Sequence, residues 1–268
     1  MTDGVGAYAG PVYCRSHDDV MSGQTGVVVS TLTEWQERQA RYRRQDDDTA
    51  RIAGILERHG VNPFREGAGF ALVGLVTGRV KPAEQQYRRI HFLPSVAAML
   101  RCEIATALEH YLLSSVCLAR YGVFTTGPRC EVWEVKGRVV WLNRMISRWH
   151  HEICAPLGID VLFRGIELPC DDGLTFHVHA NVIYFPTRYL QSRKWGRFKK
   201  QTAVFFGAHW EDIGKLRDVR EVVKYVMKGD DIARLADQDE RLVVELYRQL
   251  KGLHLVQCLG GFRAWRRA

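Results

Sequence analysis

The sequence predicts an α+β fold, a central and mostly antiparallel sheet flanked by helices and preceded by a helical accessory region. Three observations predict it. From Tyr121 to Phe185 strand-like and helix-like textures follow in the order β-α-β-β, with a turn at Asp171, Asp172 and Gly173. Ahead of that stretch, apolar residues recur at spacings of three and four, the period of a helix. The 268 residues, 46% hydrophobic and 25% charged, suffice to bury a large core without a structural metal or disulfide.

Taken in order, residues 1–30 are rich in Gly, Ser, Thr and Val without a period and read as a loose arm. Thr31 and Glu34 form a capping-box pair opening a charged helix through Trp35, Ile52, Ile55 and Leu56, which Gly60 and Pro63 close. Pro94 suits a first helical turn, and Val96, Met99, Leu100, Ile104, Leu108 and Leu112 continue an amphipathic helix, so 31–117 is a helical accessory region. The core, 118–232, begins with a strand YGVFTT, a helix over 140–154, a strand IDVLFRGIEL, the acidic turn and a strand TFHVHANVIYF. A basic stretch, a strand TAVFFGAHW and a helix over 216–228 complete it. Residues 233–268 supply a last helix, with Leu242, Val243, Leu246, Tyr247 and Leu250 on one side, and a basic tail.

Thirty-eight Lys and Arg against thirty Asp and Glu give a net charge of +8, a field that concentrates polyanions and makes nucleic acid the first partner to consider. The seven cysteines (Cys14, Cys102, Cys117, Cys130, Cys154, Cys170 and Cys258) are scattered, form no C-x-x-C pair and read as reduced thiols. No basic, apolar and cleavage-site pattern opens the chain, and the run 67–78 is too short to span a bilayer. A cytoplasmic protein without a membrane partner is the expectation.

Chemistry concentrates in two places. His177 and His179 are two apart on a strand, so their imidazoles leave the same face and can converge on one ion. An H-x-H triplet alone is a weak signal. Glu167 strengthens it, because the turn through Asp171 to Gly173 folds its strand back beside the histidines. Two imidazoles and one carboxylate leave open positions on Mg²⁺ or Mn²⁺ for water and a phosphate oxygen. Asp171 and Asp172 are competing ligands. The second place is EVVKYVMK, where helical spacing puts Glu221, Tyr225 and Lys228 on one face. A tyrosine with a pKa of about 10 needs a polarised phosphate or a nearby lysine to attack near neutral pH.

Between them lies RYLQSRKWGRFKK, with no acidic residue. Arg188, Arg193, Lys194, Arg197, Lys199 and Lys200 can track a phosphate backbone while Trp195, Tyr189 and Phe198 stack on bases.

These elements, in this order, resemble the rolling-circle plasmid replication initiators of the HUH endonuclease superfamily. Phe124, Thr125 and Thr126 match the F-x-T strand, His177, Val178 and His179 the His-hydrophobic-His strand, and Tyr225 with Lys228 the Y-x-x-K helix. The likeness covers 121–229. It implies the ferredoxin- or RRM-like core of HUH nucleases, with His177, His179 and Glu167 holding a divalent cation. It also implies that Tyr225 nicks single-stranded or hairpin origin DNA, giving a 5′-phosphotyrosine link and a free 3′-hydroxyl. Glu221, four residues before the tyrosine, resembles the glutamate with which some plasmid initiators activate water for a second cleavage. Host helicase and polymerase are the further partners that the resemblance implies. Leu93 to Ala97 stand where many initiators carry C-P-x-C-A, so both thiols of that segment are missing. LHLVQCLGGFRAW is similar to the closing segment of these initiators. A transposase of the same superfamily, a DNA-binding regulator that keeps the fold without cutting, and a mononuclear metal hydrolase are the other readings.

Overall fold

The structure, a computed structural model, describes residues 32–66, 71–73, 80–82, 86–113, 118–224 and 226–268. In chain order its elements are α1 (Leu32–Arg58), the antiparallel pair β1 (Ala71–Val73) and β2 (Val80–Pro82), α2 (Pro94–Leu113), β3 (Arg120–Thr125), α3 (Val135–Trp149), β4 (Ile159–Glu167), β5 (His179–Pro186), α4 (Ser192–Phe206), β6 (Trp210–Lys215), α5 (Val219–Val222), α6 (Gly229–Gln238), α7 (Glu240–Leu250), β7 (Val256–Cys258) and α8 (Gly260–Trp265). Met1–Arg44 and Gln45–Ala268 are separate compact units. The second holds a five-stranded sheet, ordered β6-β3-β5-β4-β7, in which every neighbouring pair is antiparallel.

Strand alternation divides the interior into two layers. Phe124, Val182 and Tyr184 point to the face covered by α3, α4 and α7, where Trp149 is fully buried between Phe124 (5.0 Å), Tyr184 (5.7 Å) and Phe198 (6.0 Å). Its indole N–H donates to Thr202 Oγ1 at 3.0 Å, which satisfies the one polar atom this ring brings inside. Ile183, Phe185 and Tyr121 point the other way, against Ile104 and Leu108 of α2, Val219 and Val222 of α5, and Phe262 of α8. Residues on both sides of 118–232, among them Ile52, Leu100, Ile104, Leu246 and Phe262, therefore share these cores.

One polar node ties the far edge together. Asp212 of β6 accepts from Arg120 (2.8 Å) and the Tyr184 hydroxyl (2.9 Å) and pairs with Lys199 (2.8 Å), and Arg120 lies over the Trp195 ring at 5.1 Å. Burial by itself pushes the Asp212 carboxyl up, but hydrogen bonds from Lys199, Arg120 and Tyr184 outweigh it and hold the group below the ordinary aspartate range.

Several expectations need correction. TAVFFGAHW is not a strand: Thr202 to Phe206 finish α4, and only Trp210 begins β6. The aromatic run is amphipathic at helical spacing too, with Phe198, Thr202 and Phe206 buried on one side. No continuous helix covers 216–228: Asp218 caps the four-residue α5, and a new helix starts at Gly229 after Lys228. The helix expected over 140–154 begins earlier, at Val135, and its last turn widens into a π-helix over His150–Cys154. Cys102 is disulfide-bonded, contrary to the reading of seven free thiols, because scattered positions in sequence do not reveal which sulfurs a fold brings together. Cys130, Cys154 and Cys170 are buried thiols. The loose arm, Thr31, Cys14 and Cys117 lie outside the described residues. Among the described residues no helix is long and apolar enough to cross a membrane.

Candidate functional site

Register builds the site. Thr125 at the end of β3 pairs with His179 at the start of β5, and His179 pairs with Glu167 at the end of β4. Directly opposed residues on one sheet face have neighbouring Cβ atoms, so the three side chains form a row across three strands. His179 Nε2 lies 2.8 Å from Glu167 Oε2, and Asn181, next along the same face, donates its Nδ2 to that oxygen at 3.1 Å. His177, two residues earlier, puts Nε2 at 3.0 Å from Thr125 Oγ1, with its ring centroid 5.4 Å from that of His179.

His177 precedes the strand proper, and backbone bonds hold it in place. Its N–H donates to Pro169 O (3.1 Å), Thr126 N–H donates to Val178 O (3.1 Å), and Cys130 and Phe176 form a bridge. Asn181 is a site residue that the sequence reading missed. A polar residue at the next same-face position beyond His179, in an otherwise apolar strand, was the available signal.

Electrostatics favours an ionised carboxylate in the row. Burial pushes Glu167 up, but the hydrogen bond and charge of His179, the charge of Lys224 and the hydrogen bond from Asn181 together bring it below the usual glutamate range. His177 is pushed down, first by burial and then by the His179 and Arg129 charges, so its neutral form, the one able to bind a cation, is favoured. The donor set of two imidazoles and a buried carboxylate suits a divalent cation, with Asn181 as the outer partner that orients Glu167. In this geometry the two Nε2 atoms rest on Thr125 and Glu167, and among the described residues no three His, Cys, Asp or Glu side chains stand at metal-holding spacing. Asp171 and Asp172 are otherwise engaged. Asp171 pairs with Arg129 at 2.7 Å, and Asp172 accepts from Thr175 and Leu174, bonds led by the Thr175 hydroxyl that lower its pKa to about 2.

Tyr225 lies outside the described residues, but its chain neighbours are described. Lys224 reaches Glu167 Oε2 with its Nζ at 3.8 Å, and Val226 O accepts from Leu168 N–H at 2.7 Å, one residue beyond Glu167. On the other side Arg101 of α2 donates to Val223 O (2.8 Å) and Arg220 O (2.7 Å), satisfying carbonyls at the end of α5. The shared helical face expected for Glu221, Tyr225 and Lys228 is not formed, because α5 stops at Val222. Glu221 is exposed on α5 and Lys228 is exposed just before α6. Among the described residues no hydrogen bond or ion pair joins either to the row. The lysine that faces Glu167 is Lys224, which the Y-x-x-K spacing did not select.

The basic segment lies elsewhere. α4 covers the face opposite the row, and because it follows the far end of β5, Arg193, Lys194 and Arg197 sit near its distant end. From Arg193 to the last turn is roughly 20 Å at 1.5 Å per residue. Trp195 is half-buried against Phe198 and under Arg120, and Lys199 is committed to Asp212. Arg188, Arg193, Lys194, Arg197 and Lys200 are exposed. Comparison of the chain with protein-family models, curated proteins and solved structures finds no match in any of the three.

Proposed function

We propose that the chain is a replication initiator that nicks single-stranded DNA by tyrosine transesterification. The observation that carries this reading is the row Thr125, His179, Glu167 with His177 beside it, next to the segment that contains Tyr225. In this reading His177, His179 and Glu167 would hold Mg²⁺ or Mn²⁺, which supplies charge neutralisation for a phosphate when bound. The protein's own contribution is positioning. Asn181 fixes the Glu167 carboxylate, Thr125 orients His177, and the bonds to Val223 and Val226 hold the chain on both sides of the nucleophile.

The Tyr225 oxygen attacks phosphorus, the bond to the 3′ oxygen breaks, and the phenolic proton is lost while the departing oxygen gains one. A 5′-phosphotyrosine and a free 3′-hydroxyl result. In this reading Lys224, the chain neighbour of Tyr225 and 3.8 Å from Glu167, would take the phenolate-stabilising role that the Y-x-x-K spacing gave to Lys228.

The test is incubation of the full chain with a pool of single-stranded hairpin oligonucleotides and Mn²⁺, followed by a denaturing gel. Wild type should give a covalent adduct, Tyr225→Phe none, and His177→Ala much less. An adduct undiminished in Tyr225→Phe would overturn the assignment. DNA binding with no adduct from wild type would leave a regulator that does not cut.

A further inference from the structure

The helices α3 and α4, thirty residues together, contain nine Lys or Arg and no Asp or Glu. The excess of cations over the whole chain is +8, so this one layer accounts for the net charge and the remainder is close to neutral. Three of the nine are paired with carboxylates of other segments: Arg138 with Glu134 (3.7 Å), Arg148 with Glu152 (3.0 Å) and Lys199 with Asp212 (2.8 Å). The other six, Lys136, Arg144, Arg193, Lys194, Arg197 and Lys200, are exposed and, among the described residues, have no carboxylate within ion-pair distance.

The two helices lie side by side. Trp149 of α3 bonds Thr202 of α4, and Arg148 lies over Phe205 at 5.5 Å. Where α3 meets the end of α4, Trp141 is 41% exposed and stands edge-on to His209, with centroids 6.5 Å apart. His209 in turn abuts Gly127, whose φ is +94° and where an added Cβ would lie 3.0 Å from the imidazole. Gly127 N–H donates to Thr125 Oγ1 at 3.3 Å, and Thr125 holds His177. A surface path therefore leads from the cationic layer, past Trp141 and His209, around the sheet end to the row.

We infer that the α3–α4 layer is the track for single-stranded DNA, with its six free cations on phosphates and Trp141 stacked on a base where the strand turns toward the row. Charge complementarity selects a polyanion, and an exposed indole beside cations suits unpaired bases, each of which offers a π-face. The path to the row rests on the function proposed above. The binding itself does not.

The experiment is fluorescence anisotropy of a labelled single-stranded oligonucleotide with the full chain in EDTA, across a salt series. Each lost phosphate contact flattens the plot of log affinity against log salt by about 0.7, so Lys136→Gln with Arg144→Gln should flatten it by about 1.4. Trp141→Ala should weaken binding at least about fivefold with the slope kept. Arg263→Gln, exposed on α8 of the opposite face, should change neither. Variants that bind the oligonucleotide like wild type would overturn the track, as would binding to anionic lipid vesicles and not to the oligonucleotide. Variant-sensitive binding by a wild-type chain that forms no Mn²⁺-dependent adduct would refute the nuclease reading and leave the track standing.

Discussion

Replacing Asp212 by asparagine keeps the shape of the buried node and removes its charge. Arg120, 24% exposed, then loses the only carboxylate partner it has at hydrogen-bond distance among the described residues, and Lys199, 51% exposed, returns to solvent at little cost. Removing one partner of a buried ion pair costs about 3–5 kcal/mol. The partial exposure of both cations places Asp212→Asn at the low end, about 3 kcal/mol, or roughly 6–12 °C in Tm for a chain of this size. The pH dependence has a definite sign. The folded pKa of Asp212 is depressed below its ordinary 3.8, so its contribution is complete above that value and is lost as pH falls through the folded pKa. Urea unfolding of both proteins between pH 7 and pH about 3 should show a wide gap at neutrality that narrows at the acid end. Equal midpoints at pH 7, or a gap that stays constant into acid, would refute the charge-based account of the node.

Other consequences are simpler to read. Arg101→Ala should speed amide exchange over 220–228 and slow adduct formation while leaving oligonucleotide affinity intact, with Arg101→Lys intermediate; unchanged exchange would show that other contacts hold the segment. Asn181→Ala frees the Glu167 carboxylate and should weaken Mn²⁺ binding, followed by electron paramagnetic resonance, about tenfold or more. Wild-type affinity in that variant would remove Asn181 from the site. Gly260→Ala should destabilise by about 2 kcal/mol, since the residue has φ +47° and an added Cβ would fall within 2.1 Å of the Asp160 carboxylate that holds Gly261 N–H. Calorimetry that finds no loss would mean the turn can rebuild itself.

The three central strands, β3, β5 and β4, were readable because their signals are local, whereas the edge strands β6 and β7 were not. Alternation in TFHVHANVIYF, the turn at Asp171 to Gly173 and the run IDVLFRGIEL state a hairpin, and β4 and β5 form one with Glu167 opposite His179. α1 and α2 were readable for the same reason, their period and their closing or opening residues being explicit. The failures fall where two periods fit equally. TAVFFGAHW can be scanned as a strand or as the end of an amphipathic helix. Tertiary partners decide, since Trp149 and Phe124 take Phe206 and Phe198 at helical spacing.

The region around Tyr225 failed for a different physical reason, and the failure bears on function. Helical spacing in EVVKYVMK is a valid local inference, yet three contacts distant in sequence compete with it: Arg101 takes the carbonyls of Arg220 and Val223, Leu168 N–H takes Val226 O, and Lys224 takes Glu167. The Arg101 bonds would be displaced if the helix ran on through Lys228, because the carbonyls of Arg220 and Val223 would then accept from the N–H groups of Lys224 and Met227. Tethered peptide in place of a regular helix keeps this segment beside the carboxylate of the row. A motif spacing therefore carries over only as far as the helix that gives it meaning. Here the helix that would put Lys228 on the face of residue 221 ends at Val222, and the lysine that stands at Glu167 is Lys224.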